Sequence, residues 1–151
     1  MEQSLLRIFT EVREHFPEVK ENVSLLKPYL ELMVLSPGLT LKSGEFEQML
    51  GHKPETLYQS SSEAYAISVL YKVDDELTKG VIAHQFAEVL ARERAIADHA
   101  FIDTICVERG FGENLLYAFM NDVFPGMIEK EFIRSEEIEN RIQGLRRLLG
   151  C

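Results

Sequence analysis

Asp74-Asp75-Glu76-Leu77-Thr78-Lys79-Gly80-Val81-Ile82-Ala83-His84-Gln85-Phe86-Ala87-Glu88-Val89-Leu90-Ala91-Arg92 is the stretch on which the fold turns. Asp74 suits a helix N-cap, because its carboxylate can accept from the free N–H groups of a first turn. Asp75 and Glu76 then sit favourably against the helix dipole. From there to Arg109 the chain holds no proline, and no glycine but Gly80. The run predicts either one long helix over 75–109 or two helices with a bend near Arg92–Ala95, closed by Gly110. Residues 66–73 (Ala-Ile-Ser-Val-Leu-Tyr-Lys-Val) precede it as the clearest strand, β-branched, aromatic and partly alternating. The expected fold is α+β and mainly helical, with a small sheet near residues 30–35 and 66–73 carrying the helical segment. An unbroken rod would make it all-α.

Outward from this centre the signals are local. Leu5, Ile8, Phe9, Val12 and Phe16 recur at helical spacing, so residues 3–16 read as an amphipathic helix ended by Pro17. Val19, Val23 and Leu26 suggest the start of a second helix that Pro28 interrupts, and Leu30, Leu32 and Val34 alternate as in a strand, in a run short and apolar enough to be a helix instead. Pro37-Gly38 reads as a turn, Ser43 to Leu50 as a short helix closed by Gly51, and residues 51–62 as a polar loop. Glu113 to Val123 forms a further helix before Pro125-Gly126. The last helix spans about 135–149, with Ser135 as its cap and Ile138, Ile142, Leu145 and Leu149 as its apolar stripe. No repeat or linker divides the chain, so residues 1–151 are expected to form one domain.

Composition excludes several roles. Acidic side chains number 25 against 16 basic, a net charge of -9, which disfavours a phosphate-tracking nucleic-acid surface or an anionic membrane. No apolar run approaches the roughly 18 residues of a membrane span, and the N-terminus lacks the pattern of a signal peptide. Two cysteines, Cys106 in an apolar run and Cys151 at the end, make no disulfide framework, so a reducing, cytoplasmic setting is expected.

On a helix at about 100° per residue, Ile82, Phe86, Val89 and Leu90 share one arc, and His84, Gln85, Glu88 and Arg92 fall opposite. The plainest reading of the polar arc is a solvated face with a Glu88–Arg92 pair. The others are a cleft-facing metal or ligand site and a partner interface. In the second segment Ile96, Ala97, Ala100, Phe101, Ile102, Ile105, Cys106 and Val107 surround the axis, so that helix should be buried. Asp98 lies on the side of Phe101 and Ile105, where a carboxylate needs a partner. It either bonds a backbone amide or orients a histidine.

Val81-Ile82-Ala83-His84-Gln85-Phe86-Ala87-Glu88-Val89-Leu90, then Ile96-Ala97-Asp98-His99-Ala100-Phe101 and Arg109-Gly110-Phe111-Gly112, resemble the motifs of small gluzincin-type zinc metallopeptidases. That family carries His-Glu-x-x-His, two metal ligands one turn apart with a general base between them, and a downstream Glu-Ala-Asp-x-x-Ala ending near Gly-Phe. The resemblance covers roughly residues 66–112 and implies a zincin-like fold. It matches His84 to the first ligand and Asp98 to the supporting aspartate. Gln85 stands for the base, Glu88 for the second histidine and Ile96 for the ligating glutamate. An amide does not titrate, so Gln85 cannot take a proton from metal-bound water. A rebuilt zinc site would draw on His84, Glu88 and His99, with Asp98 supporting, if the chain folds back between Arg92 and Ala95. The resemblance implies a zincin-like domain with a degenerate metal site, without peptidase activity, that binds a protein or peptide partner or regulates one. The alternatives are a metal-dependent hydrolase of unorthodox site, or an unrelated helical adaptor that oligomerises through its C-terminal helix.

Overall fold

The computed structural model describes residues 2–32, 37–71, 74–121 and 135–150. Among them it contains six α-helices and a mixed sheet of four strands, a mainly helical α+β fold. Helix α1 (Glu2–Arg13) buries Leu5, Ile8, Phe9 and Val12, the stripe its periodicity predicts. It ends short of the expected Phe16: the amides of His15 and Phe16 bond back to Val12 and Arg13 in a tightening turn before Pro17.

The expected second helix is instead a 3-10 turn at Lys20–Asn22 running into strand β1 (Val23–Leu26). All four β1 residues are buried, since the strand lies inside the sheet. A strand covered on both faces shows no alternation, which is why spacing alone misreads it. The strand expected near residues 30–35 is also corrected. Leu30–Leu32 is a 3-10 turn with Leu30 exposed, and residues 33–35 lie outside the described set.

Strand β2 (Gly38–Lys42) begins at the expected Pro37-Gly38 turn and forms one edge of the sheet. Helix α2 (Ser43–Leu50) follows, and Gly51 closes it at φ 79° with its N–H on the Glu47 carbonyl at 2.9 Å. The Ser43 hydroxyl donates to the Glu63 carbonyl rather than capping its own helix. The expected loop over 51–62 contains strand β3 (Thr56–Tyr58), a three-residue edge paired with β1 and too short to leave a pattern. Strand β4 (Tyr65–Val69) is the strand expected at 66–73, ending earlier. The sheet order is β2-β4-β1-β3, with β4 antiparallel to β2 and parallel to β1.

Helix α3 (Asp75–Glu93) starts as expected, with the Asp74 carboxylate accepting from the Leu77 amide at 3.1 Å. It packs against α1, the sheet and the later helices, so nearly all of it from Leu77 to Ala91 is buried. Phe86 anchors one side, its ring 5.3 Å from those of both Phe9 and Phe16. The long run then breaks, which excludes the all-α alternative of a single rod. The Arg94 amide returns to Leu90 and Ala91, Ala95 takes φ 54°, and the Ile96 amide reaches back to Ala91 at 2.9 Å. Helix α4 (His99–Glu108) starts after this turn and ends before Gly110 at φ 90°. It is half-buried rather than enclosed: Ile102, Asp103, Ile105 and Cys106 face inward while His99 and Ala100 are exposed.

Helix α5 (Gly112–Met120) lies across α3, and helix α6 (Ser135–Leu148) lies against α4 and α5. The Ser135 side chain, and Asp122 and Val123 of the expected helix over 113–123, lie outside the described residues. Ile138, Ile142 and Leu145 of α6 are buried within this chain. The stripe offered as an oligomerisation surface is therefore already covered by α4 and α5. No helix among the described residues is long and apolar enough to cross a membrane.

Candidate functional site

The polar arc of α3 is solvated only toward its end, where Arg92 is exposed and Glu88 half-buried. Gln85 is 3% exposed. Its Oε1 accepts from the Thr40 hydroxyl of β2 at 2.5 Å, so Gln85 pins the sheet edge to the helix. A Cβ on Gly38 would stand 2.8 Å from Gln85 Nε2, which explains a glycine where β2 crosses the helix. Glu88 pairs with Arg92 at 3.1 Å, as the i,i+4 spacing predicts.

His84 faces a residue that the sequence did not single out. Arg141 of α6 donates from Nη2 to His84 Nε2 at 3.2 Å. The same guanidinium clamps Asp103 of α4, Nε to Oδ2 at 3.1 Å and Nη2 to Oδ1 at 2.7 Å. Its carbon lies 4.5 Å from the centre of the Phe119 ring on α5. Four helices thus meet on one cation. The pair is enclosed, with side chains 14% and 8% exposed for Arg141 and Asp103. A guanidinium can only donate, so His84 Nε2 must offer its lone pair and carry its proton on Nδ1.

Burial, then the charge of Arg141, pushes the His84 pKa down to about 3. The neutral ring belongs to the folded state, whereas the unfolded chain protonates it near 6.5. Stability should therefore fall as pH drops below about 6.5, by up to about 1.4 kcal/mol per pH unit, until about pH 3. Urea unfolding between pH 7 and pH 5 checks this: His84→Gln should flatten the slope, and an unchanged slope would place the loss elsewhere. Burial pushes the Cys106 thiol up, which removes it as a nucleophile.

The helical hairpin expected from the bend is present, but it brings Asp103, not Asp98, to the neighbourhood of His84. Asp98 is exposed and caps α4, its Oδ1 accepting from the Ala100 amide at 3.0 Å, which is the backbone-bonded of its two expected roles. The expected burial of Asp98 fails because the residue precedes α4 as its N-cap, in extended backbone (φ -138°, ψ 119°), so helical phase does not govern where it faces. His99 lies on the solvent side of α4 and lines a groove with Glu137, Asn140 and Arg141. His84, Glu88 and His99 do not form a metal-holding group: among the described residues no three histidine, cysteine, aspartate or glutamate side chains gather in one.

The site therefore does not fit zinc. The lone pair that would bind the metal already accepts from a permanent cation. Both oxygens of the adjacent carboxylate are taken by that cation, and Glu88 is held by Arg92. Two signals could have found this arrangement. Arg141 stands in the i+3 slot of the stripe Ile138, Ile142, Leu145, and Asp103 stands between Ile102 and Ile105. No protein-family model, curated protein or solved structure matches the chain.

Proposed function

We propose that this chain is a zincin-like domain whose metal-facing side is closed by the Arg141–Asp103 pair, and that it serves as a binding or regulatory module rather than a peptidase. The observation that carries the reading is the Arg141 guanidinium 3.2 Å from His84 Nε2. A second support is Gln85, which cannot act as a base and whose amide is spent holding β2. The helix–turn–helix order with His84 on the first helix supports the ancestry; the replaced chemistry argues against the activity.

Zinc titration by calorimetry, with a peptidase assay on unfolded casein, tests the reading. The wild-type chain and His84→Ala should both lack a stoichiometric zinc site and both leave casein intact. One equivalent of zinc bound by wild type and lost in His84→Ala would overturn it, as would hydrolysis that depends on His84.

A further inference from the structure

Helices α4 and α6 leave a cavity of about 500 Å³ beside the buried ion pair. Small-molecule sites span roughly 300–1,000 Å³. Its apolar wall is Ala100, Gly144 and Leu148, and its polar groups include Asn140, Arg141 and Arg147. Asp103 also borders it, but both its carboxylate oxygens accept from Arg141. Arg141 commits Nε and Nη2 to Asp103 and His84, while its Nη1 enters no hydrogen bond among the described residues. Arg147 enters no ion pair among them either. Two arginines against one aspartate leave a single net positive charge on the wall, in a chain whose net charge is -9.

Gly144 supplies an independent observation. Glycine weakens a helix interior, and close packing does not require it here, because nothing lies within 4 Å of where its Cβ would stand. Gly144 lines the cavity, with open space where its side chain would stand.

We propose that this cavity binds a small organic monocarboxylate. Its carboxylate would sit between Arg141 Nη1 and Arg147, with Asn140 as a further donor. Its apolar body would lie along Ala100, Gly144 and Leu148. The single surplus charge matches a monoanion, and charge-assisted pairing to arginine is the strongest recognition the wall offers. This deepens the binding role proposed above and shares Arg141 with it. Its test reads carboxylate binding rather than zinc, so either reading can fail while the other stands.

The test is amide NMR of the full chain titrated with octanoate, with octan-1-ol as the uncharged control. Saturable shifts centred on Thr104, Gly144 and Arg147 are expected. Gly144→Phe should abolish them, and Arg147→Gln should weaken binding about tenfold, the usual scale for a lost charged hydrogen bond. Octan-1-ol should bind at least about tenfold more weakly than octanoate for the same reason. If Gly144→Phe fails to fold, the exposed Arg147→Gln variant and the alcohol still decide. No saturable shift up to about 10 mM, equal binding of acid and alcohol, or binding unchanged in the variants would overturn the proposal.

Discussion

Asp103→Ala is expected to cost about 3–5 kcal/mol of folding free energy at pH 7, measured by urea unfolding. The loss is large because Arg141 cannot discharge itself by releasing a proton. Its side chain is only 14% exposed, so water from the adjacent cavity replaces only part of what the carboxylate supplies. Arg141→Met should also be costly, because it strands the Asp103 carboxylate, whose side chain is 8% exposed. The double substitution Asp103→Leu with Arg141→Met should recover most of the loss, since a buried ion pair often does no better than apolar side chains of similar volume. A loss below about 1 kcal/mol for Asp103→Ala would mean that the pair behaves as a surface bridge.

Gly80→Ala should destabilise by about 2–3 kcal/mol, even though alanine is the better helix former by about 1 kcal/mol. A Cβ at position 80 would stand 2.6 Å from the Asn114 carbonyl carbon and 2.9 Å from the Leu115 amide nitrogen. Those are backbone atoms of α5 and cannot rotate aside, so α3 and α5 would have to separate over the fully buried Leu115. Gly144→Ala is the internal control. Nothing opposes its Cβ, so the same substitution in α6 should gain up to about 1 kcal/mol. Opposite signs for one chemical change are the expected result; thermal unfolding of both variants reads it.

The elements that proved legible in the sequence are those whose burial is one-sided. Helices α1 and α6 each present a single apolar stripe to the core, and Asp74 and Gly51 mark helix ends through their own backbone chemistry. Strand β1 was misread because all its residues are buried, and β3 because three residues carry no period. The site was harder for a related reason. Periodicity divided α3 into an apolar and a polar arc, but it could not say what covers the polar one. Gln85 is covered by Thr40, 45 positions away, and His84 by Arg141, 57 positions away. Such partners are set by tertiary packing, and a buried polar group becomes affordable only once they arrive. The motif resemblance placed the supporting carboxylate at Asp98, five residues before the one that pairs with Arg141.

The central claim is that Arg141, and not a metal, occupies the face of His84. Long-range proton–nitrogen NMR of the His84 ring tests it most directly. The expected spectrum is a neutral imidazole protonated on Nδ1, with Nε2 as acceptor, unchanged from pH 7 to pH 5 and unchanged by added zinc. A ring protonated on Nε2, or an Nε2 resonance that shifts with one equivalent of zinc, would contradict the account.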